Sequence, residues 1–235
     1  MPLITLPVSD VRAETPRNRI VRLDLRDRPF PYRAGQHVLL GDHGQPQRFP
    51  YSIANAPAQA EREGVLEFLI QVVETESPGP HLRRLEPGVL VDVEGPAGDF
   101  VLPSSDGVAA AYLFVGGGTG IAPLRSMIGQ VLETQPGAAV AVVHSARTPE
   151  ELSYRGELRA LAAAGRIRLL ETVTRAEAGS LWSGARGRLD TERLAQMFSP
   201  DAFCYVCGPD SLVEDVPRLL ASLGATHVRT EHWKG

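Results

Sequence analysis

The sequence predicts two domains, an antiparallel β-barrel over residues 1–103 followed by an α/β parallel-sheet domain over residues 104–235. Three observations lead there. At 235 residues the chain exceeds the usual size of a single domain. Up to about position 103, short apolar or alternating runs are separated by turn residues, which is the pattern of an antiparallel barrel or sandwich. From position 109 apolar runs alternate with helix-like stretches, which implies parallel strands joined by crossover helices.

In the first half, strands are expected at 4–11, 19–25, 37–41, 49–54, 65–73 and 89–94, with a short helix at 81–85. The second half opens on AAAYLFVGGG, continues with a helix at 121–132 and the strand AAVAVVHSA, then a helix at 149–163 and the strand IRLLETV. Two more units follow: a helix at 191–197 before FCYVCG, and a helix at 211–223 before THVRTEHW. The boundary is expected in the polar segment LPSSDG, 102–107.

Composition removes several function classes. The net charge is −4 and the basic residues are spread along the chain, which argues against a nucleic-acid footprint. Lys234 is the only lysine, so the positive charge is almost all guanidinium. No apolar run approaches the roughly 18 residues of a membrane span, and the N-terminus does not read as a secretory signal, so no membrane partner and a cytoplasmic location are expected. Cys204 and Cys207 have the spacing of a redox or metal pair, but within a strand residues three apart point to opposite faces. The six histidines lack ligand spacing, and no metal site is expected.

Two stretches carry chemistry. In QRFPYSIANAP, Tyr51 and Ser52 put an aromatic face beside a hydroxyl; the plain alternative is a half-buried strand end. VGGGTGIAP follows the first strand of the α/β half and precedes a helix, where backbone N–H groups and the helix N-terminus favour an anion. The turn departs from G-x-G-x-x-G, because Ile121 stands where the third glycine belongs, and it is not a Walker loop. It reads either as a nucleotide site or as a tight strand–helix corner. Where an acidic residue would hold a ribose, the next strand ends instead in His144, Ser145 and Arg147.

PYS, GGGTGIAP and YVCGP, in that order, resemble the ferredoxin–NADP reductase superfamily over nearly the whole chain, in its flavin reductase or oxygenase-reductase form without an iron–sulfur domain. The resemblance implies a flavin-binding barrel, an NAD(P)-binding α/β domain, and hydride transfer between them. It lays Tyr51 against the isoalloxazine, with Ser52 near flavin N5. Gly79, Pro80, His81 and Leu82 match the turn that holds the flavin pyrophosphate; Pro80 lacks an N–H, for which Ser77 is the candidate replacement. GPAGDF, 95–100, matches the segment that closes the barrel. Gly117, Gly118, Thr119 and Gly120 would receive the nucleotide pyrophosphate, with Cys207, Gly208 and Pro209 beside the nicotinamide. Glu231 would join Ser52 and Cys207 around the reacting atoms, and Trp233 would cover part of the site. Ser145, Arg147 and Arg175 are candidates for a 2′-phosphate.

One departure concerns the flavin. The family has arginine two residues before the tyrosine, whereas here that flavin-contacting position is Phe49 and the arginine is Arg48. In a regular strand Arg48 and Tyr51 face opposite ways, so Arg48 reaches a flavin phosphate only if Pro50 marks a bulge or bend.

The resemblance therefore implies an FAD-dependent NAD(P)H oxidoreductase, with FMN as the other flavin and NADPH or NADH as donor. Electrons would pass to a separate ferredoxin, flavodoxin or oxygenase component, since the two cysteines form no iron–sulfur ligand set. The alternatives are a reductase that uses free flavin as substrate and an electron-transfer subunit of a larger enzyme.

Overall fold

The computed structural model describes residues 2–26, 28–72, 79, 81–103, 110–176 and 180–232. They form two compact units, Met1–Leu102 with Arg125–Gln130, and Pro103–Leu124 with Val131–Gly235.

The first unit is built on β1 (Leu3–Ala13), β2 (Asn18–Asp24), β3 (His37–Asp42), β4 (Phe49–Ser52), β5 (Val65–Gln71) and β6 (Leu90–Ala97). All pairings are antiparallel, in the order β4-β3-β6-β1-β2-β5. The edges meet: Ile53 bridges Phe68, and the Ala54 N–H donates to the Glu67 carbonyl at 2.8 Å. The sheet thus curls into the predicted barrel, nearly closed, with its two ends joined just past β4. Successive side chains in a strand point to opposite faces, so alternate residues such as Leu66, Phe68 and Ile70 enter the core with Leu6, Ile20, Val38 and Val93.

A helix not anticipated from the sequence, α1 (Pro57–Glu63), joins β4 to β5. Pro57 opens it with φ already set, and Gly64 closes it in the left-handed region at φ 68°. The helix expected at 81–85 is absent. The Asp42 N–H donates to the His81 carbonyl, the acceptor that residue 85 would use in a helix, and the Arg83 N–H donates to the Asp42 carboxylate, so this segment is tied to the end of β3. Nor does Pro50 form a bulge. Partners run in register from His37 with Ser52 to Leu40 with Phe49, and β4 ends the strand order, where a residue lacking N–H costs no ladder bond.

Within this unit Glu67 is 1% exposed and sits between two guanidiniums, Arg22 at 2.8 Å and Arg125 at 3.2 Å. Arg125 also donates to the Ala54 carbonyl, and Asn55 accepts the Glu67 N–H.

The second unit is a parallel sheet of β7 (Ala111–Gly117), β8 (Ala139–Ala146), β9 (Arg168–Val173), β10 (Ala185–Arg186), β11 (Ala202–Gly208) and β12 (His227–His232). The order is β10-β9-β8-β7-β11-β12. From β7 the chain first moves outward through β8, β9 and β10, then returns to β7's other side as β11. The order therefore reverses between β7 and β11, which is where open α/β sheets bind ligands. The connecting helices are α2 (Ile121–Thr134), α3 (Arg155–Ala163), α4 (Thr191–Met197) and α5 (Asp210–Ser222). The helix expected at 149–163 is split: a short 3-10 turn covers Pro149–Glu151, and Tyr154, at φ 56°, separates it from α3. Leu113, Val115, Val143, Cys204 and Val206 pack on Leu194 and Met197 of α4 and on Val216 and Leu220 of α5.

Candidate functional site

The sequence-predicted residues fall into two groups, one on each unit. On the barrel, Tyr51 is buried and its hydroxyl lies 2.7 Å from Nε2 of His81. The two rings stack with centroids 5.9 Å apart, and Phe49, two residues before Tyr51 on the same face, brings its ring to 4.1 Å from His81. Burial raises the Tyr51 phenol pKa and lowers that of the His81 imidazole, the latter opposed by nearby Asp42, so both are neutral at pH 7. Ser52 is buried next to Tyr51, and its Oγ has no hydrogen-bond partner among the described residues, nor does Nδ1 of His81. Gly79, at φ 136°, bridges Leu82. Ser77 and Pro80 lie outside the described residues.

Arg48 has a different environment from Tyr51. Its guanidinium lies 3.4 Å from Asp92 and 3.7 Å from Glu94, both on β6. Asp92 also accepts from Thr5 Oγ1 at 2.8 Å and from the Gly44 N–H at 3.1 Å, and meets Nδ1 of His43 at 2.8 Å. The sequence reading did not anticipate Asp92 and Glu94 as partners of Arg48; the alternation VDVE in β6 was the available signal, since it turns both acids to the face away from Val91 and Val93.

On the second unit, the glycine run forms the end of β7, a 3-10 turn over Gly118–Gly120, and the start of α2. Two of its glycines are required for different reasons. A Cβ on Gly120 would stand 2.4 Å from the Cys207 carbonyl oxygen and 2.7 Å from Gly208 Cα, so the turn is in backbone contact with the end of β11. Gly118 has φ 57°, and a Cβ there would meet nothing within 4 Å. Gly118 and Thr119 are partly exposed, leaving open backbone at the N-terminus of α2, the geometry that suits a phosphate.

Register draws a row across this sheet. Cys207 pairs with Gly116 on one side and Glu231 on the other, Gly116 pairs with His144, and His144 with Glu171. Partners in a parallel ladder share a face, so these side chains lie together on one side, opposite the core that receives Cys204. Cys207 is fully buried, and burial, with Glu231 adding, holds its thiol well above the usual range. It therefore stays a thiol. His144 is also fully buried, neither ring nitrogen has a partner among the described residues, and burial lowers its pKa to about 4. Both cysteines are free thiols, and no metal-binding cluster occurs among the described residues.

Ser145 is partly exposed, and Arg147 and Arg175 are exposed just past the ends of β8 and β9, joined by the Arg175 N–H donating to the Arg147 carbonyl at 2.7 Å. Pro209, exposed, precedes α5. Trp233 lies outside the described residues. An aromatic face beside a buried hydroxyl on one unit, and an open glycine turn at the strand-order reversal on the other, fit a flavin and a dinucleotide.

Comparison with known proteins agrees. Residues 6–102 match the oxidoreductase FAD-binding domain and residues 114–218 the oxidoreductase NAD-binding domain. The chain is 33% identical to ferredoxin–NADP reductase B of Sorangium cellulosum over 236 residues, covering 95% of this chain and 94% of that one. It is 29% identical over 213 residues to the glycine betaine monooxygenase reductase subunit of Pseudomonas aeruginosa, covering 85% of this chain and 56% of that protein. In fold it is similar to a ferredoxin NADP+ reductase from Neisseria gonorrhoeae solved with bound FAD and NADP, at TM-score 0.80, 23% identity and 99% coverage of both chains. The two matching domain models and the near full-length relative show that this chain belongs to the ferredoxin–NADP reductase superfamily.

Proposed function

We infer that this chain is an FAD-dependent NAD(P)H oxidoreductase that passes electrons to a separate acceptor. The observation that carries the reading is the presence, in one chain, of the Tyr51–Ser52 strand end in an FAD-binding barrel and of the open glycine turn in an NAD-binding sheet. A bound flavin supplies the exchange between two-electron and one-electron chemistry that no side chain provides. The chain's own residues bind and orient. Tyr51, a neutral phenol, offers its ring for stacking, and Ser52 offers a hydroxyl to the ring's polar edge. Gly79, His81 and Leu82 hold the flavin pyrophosphate. Backbone N–H groups of Gly117, Gly118, Thr119 and Gly120 hold the nucleotide pyrophosphate. Cys207, Gly208 and Pro209 border the nicotinamide, with the Cys207 thiol protonated throughout, so it packs and does not attack. Glu231, beside Cys207, is the proton-handling candidate on this unit.

Exposed Arg147 and Arg175, held together at the ends of neighbouring strands, support NADPH over NADH, because two guanidiniums suit a 2′-phosphate. The acceptor is proposed to be a ferredoxin, flavodoxin or oxygenase component in the cytosol; no helix among the described residues is long and apolar enough to cross a membrane. The test is an absorption spectrum of the protein with FAD, followed by anaerobic titration with each nicotinamide. Bleaching of the flavin band by NADPH at lower concentration than NADH is expected; no bleaching by either overturns the reading.

A further inference from the structure

Arg48 stands three residues before Tyr51, and β3 and β4 pair in register through Pro50. Tyr51 pairs with Val38, whose side chain enters the barrel core. Partners in an antiparallel ladder share a face, so Tyr51 lies on the Val38 side. One step beyond the pair of Phe49 with Leu40, Arg48 lies over Gly41, on the other face. Gly41 makes that possible: a Cβ there would stand 2.9 Å from Arg48 Cγ and 2.3 Å from the Gln47 carbonyl oxygen. Gly41 and Leu39 pair with Asp92 and Glu94, and these are the carboxylates that meet the guanidinium. Burial opposes charge on Asp92, but its hydrogen bonds with His43, Thr5 and the Gly44 N–H prevail and hold its pKa below the usual carboxylate range, so it stays an anion. A phosphate approaching Arg48 would meet two acids of its own sign beside it.

We propose that Arg48 belongs to a carboxylate cradle made by Gly41, Asp92 and Glu94, takes no part in holding the flavin, and so leaves FAD exchangeable. This rests on the flavoprotein reading above. Without a charge-assisted contact to the phosphate, FAD affinity is expected to be about tenfold to a hundredfold weaker than with one.

The test compares the full-length wild type with R48M, titrating FAD by its fluorescence and measuring thermal unfolding. The expected result is FAD dissociation constants within about twofold of each other, a lower melting temperature for R48M, and loss of FAD from the wild type on desalting. Weakening of FAD binding by about tenfold or more in R48M, at unchanged melting temperature, overturns the proposal. So does a wild type that keeps its flavin through desalting while R48M releases it. If R48M does not accumulate folded, R48K takes its place: it keeps a positive charge on the cradle but not the fork a phosphate needs, and the same readings decide. A wild type that binds no FAD at all sinks the flavoprotein reading itself, and this proposal with it.

Discussion

The Tyr51 hydroxyl and Nε2 of His81 are 2.7 Å apart, buried, and borne by rings that stack. The contact ties the end of β4 to the segment after residue 79, two pieces of chain that the resemblance assigns separately to the ring and to the phosphates of one flavin.

Removing the hydroxyl alone leaves a buried imidazole nitrogen without its partner. Tyr51→Phe should therefore lower stability by about 1–3 kcal/mol, and adding His81→Phe should recover part of the loss. Urea unfolding of the two single variants and the double variant measures the coupling; a Tyr51→Phe protein as stable as the wild type removes this contact from the account.

His144 makes stability depend on pH. Its folded pKa of about 4 lies below its ordinary 6.5, so the unfolded chain binds the proton first as pH falls. The contribution is complete above 6.5 and is lost on the way down to 4. Between pH 7 and pH 5 this group should cost about 2 kcal/mol, and His144→Leu should lack that part of the decline. Urea unfolding at the two pH values checks it, with equal slopes in both proteins as the contrary result.

The glycines of the turn should differ in their tolerance. Gly120→Ala drives a methyl into the backbone of Cys207 and Gly208 and should cost about 3 kcal/mol, together with nicotinamide nucleotide binding. Gly118→Ala meets open space and pays only for its left-handed backbone, about 1–2 kcal/mol. Thermal unfolding and nucleotide titration of both variants test the order, which the reverse ranking would contradict.

Glu67 is buried between Arg22 and Arg125, and Arg125 is itself 8% exposed. Replacing the Glu67 carboxylate removes the anion that faces the buried Arg125 guanidinium at 3.2 Å, so Glu67→Gln should lose about 3–5 kcal/mol. Chemical denaturation reads this directly; a loss below about 1 kcal/mol would mean that water screens the pair.

Much of the architecture is legible in the amino-acid sequence. The short apolar run around LEFLI, bounded by turn residues, marked β5, and the apolar runs separated by helical stretches marked the parallel sheet, because run length and the 3.6 period are local properties of the chain. Some local signals were present and unread: Pro57 and Gly64 bracket α1 with a proline start and a left-handed glycine stop. Others were overridden from a distance, as when the Asp42 N–H took the His81 carbonyl that a helix at 81–85 would have used.

By itself the sequence determined the two domain types, the order of the three motifs, and the glycine run placed between a strand and a helix. Only the tertiary structure decided that Glu171, His144, Cys207 and Glu231 share one row, and that Arg48 answers to Asp92 and Glu94 on the face away from Tyr51. The reason is physical: which way a side chain alternates is set by its neighbours in the chain, but what it meets is set by cross-strand register. Register is decided by backbone ladders and packing between segments tens of residues apart.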